Sequence, residues 1–586
     1  MHLIEYYLRL LDQIKEVNTV VSIRLPRVSS ILSCTDRNAK KVLAKLTDAG
    51  WITWTAGRGR GRISSIRLHI SRNDFLIDQA KQVATSQTID DALGFLHRFS
   101  LPHTELQQFF DWLMTDMTRT EASINTTSKD QIILPSYRSF TSLSPLQVHR
   151  RSENHVMKHL YNCLVRYDER TEQFSPDLAH HWHAQNNNKQ WTFYLRKDVQ
   201  FHSGKEMTAK DVQESLLQHK RIKESPYHWA FKDMDTIETL SRYVVRITFE
   251  SSQPHLLHIA ASLGAAITPV ERSSLPVGTG PFEVTSFTDK KFIMHAFSKH
   301  FHTRPLLDMV GMFFYPELYN YPSAQHFNEK DVPLNFYHYP YYERVDDRLE
   351  SYEKVDRGSK LLTLNMNTGT LANDDLLREA ICHLLPVSSL LERYQGKRFS
   401  KAERMVQEFE KDTFARSETR GARLLQQSKY SGETLQLYTY AGAGNEADAQ
   451  LIIDHLFKYG IRMRLRVLPY DQFHREHAGA DLLLGENLFL ESPLFTYMMA
   501  FLSSQSILNT HLPEDILHDV KQALQSTDAL NKLLHIERNL LSQYTHVHLY
   551  RLTQYAFYPK NLHGVEMNTL GWVDYRKLWY DIGGFE

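Results

Sequence analysis

The run Gly57-Arg58-Gly59-Arg60-Gly61-Arg62 sets three guanidinium groups on alternate residues of a segment with little steric restraint. Guanidinium donates paired N–H bonds to phosphate oxygens, so the run suits contact with a nucleic-acid backbone or entry into a minor groove. Upstream, Arg37, Asn38, Lys40, Lys41 and Lys45 share one side of an amphipathic period that opens after Thr35. Arg and Asn can pair with base edges, and Lys neutralises phosphate. A phosphate-cradling glycine loop of a nucleotide site does not fit. A β-branched strand, not a helix, follows Arg62, and the P-loop Lys-Ser/Thr pair is missing.

Other chemistries find less support. The chain has 30 histidines, and the densest group is His180-His181-x-His183. His477 directly follows Glu476, so no H-E-x-x-H helix forms around His474. There is no G-x-S-x-G elbow and no convincing pair of carboxylates for hydrolysis. The expectation is therefore no catalytic residue, no metal site and no cofactor. Cys34, Cys163 and Cys382 are far apart and form no C-x-x-C pair, which fits three reduced thiols.

The elements that must carry the basic residues can be read from apolar spacing. Leu3, Tyr6, Tyr7, Leu10, Leu11 and Ile14 predict a first helix, and Leu25 to Leu32 a second. Ser33-Cys34-Thr35 supplies a tight turn, with Thr35 as the N-cap of a third helix over about 36–49. That helix buries Ala39, Val42, Leu43 and Leu46, and Gly50 ends it. A strand at 51–55, the Gly-Arg tip and a strand at 63–70 complete a winged helix-turn-helix. In that geometry the third helix enters the major groove of an operator in double-stranded DNA, and the wing meets the backbone.

Charge agrees with this reading. Residues 1–70 carry 12 Lys+Arg against 5 Asp+Glu, net +7, and the remaining 516 carry 56 against 63, net −7. A small basic head on a mildly acidic body points the head at a polyanion. The N-terminus has no basic region leading into an apolar one, and the longest apolar stretch, about 256–267, is too short for a bilayer. These features predict a cytoplasmic protein with no membrane partner.

At 586 residues the chain should form several units. The expected divisions are the winged helix-turn-helix with a helical extension at 1–117, a polar linker at 118–131, and an alternating α/β module beyond. Phe75, Leu76, Ala80 and Val83, and then Leu106, Phe109, Phe110, Leu113 and Met117, give the extension its apolar faces. The extension could support a homodimer.

Several segments of the module carry a resemblance. They include Leu160-Tyr161-Asn162-Cys163-Leu164-Val165-Arg166-Tyr167-Asp168, Pro176-Asp177-Leu178-Ala179 with Trp182, and Trp191-Thr192-Phe193-Tyr194-Leu195-Arg196-Lys197. Val199 to Gly204, Thr208-Ala209-Lys210-Asp211-Val212 and Pro276-Val277-Gly278-Thr279-Gly280-Pro281-Phe282 continue it. In this order and spacing they resemble the family 5 solute-binding proteins of the oligopeptide and nickel type. The resemblance implies a two-lobed, periplasmic-binding-protein-like (class II) module: a first lobe at 132–361, a second at 362–540, and a return to the first at 541–586. With a DNA-binding head in place of an export signal, the chain resembles SgrR-type transcriptional regulators. Ala49 to Trp54 and Gly57 to Gly61 fill the matching head positions.

Peptide-binding members of the family place an Asp after a second-lobe strand to meet the ligand's ammonium. Here Thr439-Tyr440-Ala441-Gly442-Ala443-Gly444-Asn445 has none, and Gly485-Glu486-Asn487 replaces a second Asp-bearing segment. The expected ligand is a small polar molecule, a sugar phosphate, a peptide or a related metabolite, with Gly442 to Gly444 offering backbone N–H groups. Arg138, Tyr440, Asn445 and Asn487 are the candidate cleft residues. The alternative is a binding component of an ABC uptake system, which would require export.

Overall fold

The computed structural model describes residues 2–57, 63–86, 89–99, 101, 108–109, 112, 130–136, 138–147, 150–271, 273–314, 335–337, 349–392, 398–410 and 414–581. Two compact units emerge, a head within Met1–Thr126 and a body within Thr127–Glu586.

In the head, helices His2–Ile14, Leu25–Ile31 and Asp36–Asp48 follow the apolar period. Tyr7, Leu10 and Leu11 from the first meet Ala39, Val42, Leu43 and Leu46 from the third in a closed core. The turn between the second and third helices holds Ser33 at φ +52°. Thr35 then caps the third helix by accepting the Asn38 N–H at 3.4 Å. Gly50 takes φ +75°, where a side chain would be strained. Ile52–Thr55 pairs antiparallel with Ser64–Leu68, and a three-residue strand, Val21–Ile23, adds to the other edge of Ser64–Leu68. That extra strand is too short to give a period. Tyr7, Trp51 and Phe75 pack their rings together, with Tyr7–Phe75 at 4.5 Å and Trp51–Phe75 at 4.7 Å. Phe75 starts the next helix, Arg72–Ser86, so the extension is stitched onto the winged core. Arg58, Arg60 and Arg62 lie outside the described residues, as do Leu106, Phe110, Leu113, Met117 and most of the expected linker.

The body is two-lobed. Its first lobe holds an antiparallel sheet in the order Ala179–Gln185, Gln190–Leu195, Val244–Phe249, Met234–Ser241. A second sheet runs Phe282–Phe287, Lys291–Ala296, Met309–Phe314, Gln131–Ser136, its last pair parallel. His180, His181 and His183 therefore sit inside a strand, not at the helix-to-strand corner that the family resemblance implies. Helix Arg151–Leu160 lies beside the loop at Gly278 and Gly280. A Cβ on Gly280 would stand 2.4 Å from the His159 carbonyl oxygen, so only glycine allows that approach.

The second lobe is built on strands Met463–Leu468, Leu435–Tyr440, Leu482–Asn487 and Ser359–Leu364, in that order. The first three run parallel. The Leu-rich strands Leu435–Tyr440 and Leu482–Asn487 are largely buried, as expected of strands covered on both faces, while Met463–Leu468 at the sheet edge is largely exposed. Helices Asn445–Phe457 and Asp375–Leu384 pack into the same apolar cluster. The segment expected to return to the first lobe begins inside this sheet. His546–Pro559 pairs with Ser359–Leu364 before running on against Leu349–Val355. Leu562, Leu570, Trp572 and Tyr575 then join the first-lobe core with Ile132 and Phe282.

Candidate functional site

The head presents its polar residues on the third helix. Arg37, Asn38, Lys40, Lys41 and Lys45 are all exposed, while the alternate positions are buried. Thr35 is spent on the cap, so its hydroxyl holds the helix start in place. Arg24 and Arg27 also stand exposed at the start of the second helix, and Arg67 is exposed on the strand Ser64–Leu68. The apolar period drew attention away from these three, although all add to the basic excess of the head.

In the body, a cavity of about 80 Å³ lies between the lobes. The second lobe contributes the carboxyl ends of its parallel strands, Tyr440 and Glu486, the usual ligand position in open α/β sheets. The first lobe contributes Arg138, Arg150 and Arg151.

The guanidiniums are held from behind. Arg151 bonds Asp356, stands 3.8 Å from Glu486, and donates to the Leu570 carbonyl at 2.7 Å. Burial works against its charge, but Asp356 and Glu486 outweigh burial and raise its pKa above the ordinary value. Arg150 donates to buried Glu153 at 3.2 Å and lies 4.7 Å over the Tyr470 ring. Tyr440 packs edge-on to Tyr470 at 5.0 Å, and burial raises both phenols' pKa values. His474 shares its Nδ1 with the Gln505 carbonyl at 2.7 Å, which puts the proton there and leaves Nε2 an acceptor. Burial lowers this histidine to about 4, so it is neutral near pH 7. The cavity thus offers guanidinium and phenol donors together with the Glu486 carboxylate and an imidazole acceptor.

Arg138 and Tyr440 come together here, across the lobes. Asn445 and Asn487 do not line the cavity. Asn445 is fully buried, accepting from Lys360 and donating to the Tyr440 carbonyl at 3.1 Å, so it fixes the strand-to-helix corner. The Asn487 side-chain nitrogen is buried without a hydrogen bond beside that site. The Gly442 N–H is already taken by Glu446 at 2.8 Å, so the glycine loop is less open to a ligand than its composition implies. Sequence reading missed Arg150, Arg151, Glu486 and His474. One signal was available: two adjacent guanidiniums at a helix N-terminus oppose the helix dipole, a mild cost that nearby carboxylates offset.

Comparison with known proteins adds the family context. Residues 173–508 match the bacterial extracellular solute-binding proteins, family 5 (middle region), and residues 2–114 match the N-terminal domain of the sugar transport-related sRNA regulator. The chain is 26% identical to the Bacillus subtilis protein YhjP over 99% of its own length and 100% of that protein's. It is 25% identical to the HTH-type transcriptional regulator SgrR of Yersinia enterocolitica, covering 95% of both. Among solved structures, Helicobacter pylori DppA in complex with the peptide STSA is similar with TM-score 0.64 and 16% identity, over 77% of this chain and 98% of that one. Brucella suis NikA in complex with Fe(III)-EDTA is similar with TM-score 0.64 and 18% identity, over 77% of this chain and 100% of that one.

Proposed function

The chain belongs to the family 5 bacterial extracellular solute-binding proteins, and from that premise we propose that it is a cytoplasmic transcription regulator whose cleft senses a small polar ligand. The observation that carries this reading is the presence, on one chain, of a capped basic helix in a winged head and a two-lobed body with a polar cavity between its lobes. The match of residues 2–114 to a regulator's N-terminal domain, and the full-length likeness to SgrR, support DNA as the head's partner. An uptake role would use the same body, but it leaves the basic helix without a task.

In this reading Arg37 and Asn38 meet base edges at one end of the helix, and Lys40, Lys41 and Lys45 meet phosphates. The Gly-Arg tip with Arg58, Arg60 and Arg62 adds backbone contacts. Arg138, Arg150 and Tyr440 bind the ligand through an anionic group, a carboxylate or a phosphate, and Glu486 and His474 accept its hydroxyl or amine hydrogens. The ligand touches both lobes, so it favours the closed form by its differential affinity, and that preference changes operator affinity through linkage. The reading assigns the chain no catalytic step.

A thermal-shift screen of full-length protein with sugar phosphates, small carboxylates and short peptides tests the cleft. A ligand at 100 times its dissociation constant should add ~2.7 kcal/mol of stability. R138A and R150Q should lose that shift. Retention of the shift in both variants, or shifts from free-amine peptides alone, would reject the proposed site.

A further inference from the structure

Away from the cleft, in the second lobe, three buried side chains converge. Glu537 comes from helix Ala529–Ser542, and His546 and His548 from the strand that follows it. Two positions apart on a strand, the two imidazoles share a face. One ligand atom from each of the three lies within 4.8 Å of the others, and all three residues are at most 1% exposed. The group includes no residue of the interlobe cavity.

His546 Nε2 is buried without a hydrogen-bond partner, His548 Nε2 has only the Glu537 carboxylate near it, and both histidines line a cavity of about 560 Å³. The tautomer of His546 follows from its neighbours. Thr545 spends its hydroxyl hydrogen on the Leu540 carbonyl at 3.2 Å, so it can only accept from His546 Nδ1 at 2.8 Å. The His546 proton therefore sits on Nδ1, and Nε2 turns a lone pair outward. His548 Nδ1 is paired with the Ser359 hydroxyl at 2.8 Å, and its Nε2 stands 3.5 Å from Glu537 Oε1. Metal-binding histidines are oriented in this way, by a polar partner on the second ring nitrogen.

Glu537 is fixed in place by hydrogen bonds to both of its oxygens. The Met405 N–H at 2.7 Å and the Tyr497 hydroxyl at 2.8 Å donate to its two oxygens, and each oxygen keeps a free lone pair. Arg404 stands 3.8 Å from Glu537 Oε2, outside hydrogen-bond reach, and with Arg416 and Arg538 it lines the same cavity as the two histidines.

We propose that Glu537, His546 and His548 form a binding site for one divalent transition-metal ion of the zinc type. Two imidazoles and a carboxylate suit such ions, and tetrahedral bonds of ~2.0–2.2 Å require the ligand atoms, now within 4.8 Å of one another, to draw together by up to roughly 1.4 Å. The remaining coordination position faces the cavity and takes water or a solute.

The test uses full-length protein stripped with a chelator and titrated with Zn²⁺ by calorimetry, and with Co²⁺ by visible absorption. One saturable site is expected. E537Q and H548Q should weaken it by more than the ~10–100-fold that loss of a merely supporting group causes. H180A/H181A/H183A should leave it unchanged. X-ray absorption at the zinc edge of the unmutated protein should give nitrogen and oxygen neighbours, which keeps the test decisive where a variant fails to fold. No saturable uptake, sulfur scattering from a cysteine, or a site abolished by the His180 variant would overturn the proposal.

Discussion

Replacing Arg151 by Met should destabilise the body by about 3–5 kcal/mol, the cost of stranding one member of a buried ion pair. Arg151 ties three parts of the fold: Asp356 between the lobes, Glu486 at a second-lobe strand end, and the Leu570 carbonyl of the C-terminal segment. In the variant, Asp356, 6% exposed, would retain the Gly358 N–H at 3.0 Å as its bonding partner among the described residues. R151M/D356L removes both charges together. Most of the lost stability should return, because apolar replacement of a buried pair is close to neutral. Urea unfolding of the full-length protein, followed by tryptophan fluorescence, reads each change as a shift in midpoint at constant slope. A loss below ~1 kcal/mol in R151M, the value of an exposed pair, would refute the reasoning. So would a double variant no more stable than either single one.

Three further outcomes follow from the same geometry. The variant K40Q/K41Q/K45Q should lower the slope of log affinity against log salt by ~0.9 for each lysine that meets phosphate, ~2.7 for all three. Fluorescence anisotropy with a duplex measures it, and an unchanged slope would remove the third helix from the interface. Burial lowers His202, His258 and His474 to about 4 and His219 and His511 to about 3, below the unfolded value near 6.5. Between those values the unfolded chain binds protons that the folded chain refuses. Stability is therefore complete above about pH 6.5 and falls as pH drops toward 4; a flat urea midpoint over that window would contradict it. Finally, G280A would drive a Cβ to 2.4 Å from the His159 carbonyl oxygen and should cost roughly 1–3 kcal/mol or more, read as a lower melting temperature. An unshifted melting temperature would show that helix Arg151–Leu160 can give way.

The head was legible because several signals coincide over a few residues. Thr35, the period of Ala39, Val42, Leu43 and Leu46, and Gly50 all specify the same helix, and local rules suffice to read it. The cleft was legible only in part, because its residues come from eight separated segments. Nothing in the sequence says whether an Asn at a strand-to-helix corner faces a ligand or locks the backbone; Asn445 does the latter. Gly442 looked open because glycine has no side chain, yet Glu446, four residues on, reaches back to its N–H. Glu537, His546 and His548 were hidden for a related reason. Their spacing matches no helical metal motif, and they meet only because a helix turns directly into a strand.

The central claim is that one chain reads both DNA and a small ligand. Its most direct test is footprinting of full-length protein on fragments selected from its native genome, with and without a metabolite extract. The account predicts a discrete protected site whose occupancy shifts when the extract is added, and loses that response in R138A/R150Q. Sequence-independent protection, or a discrete site indifferent to every ligand that binds the cleft, would contradict it.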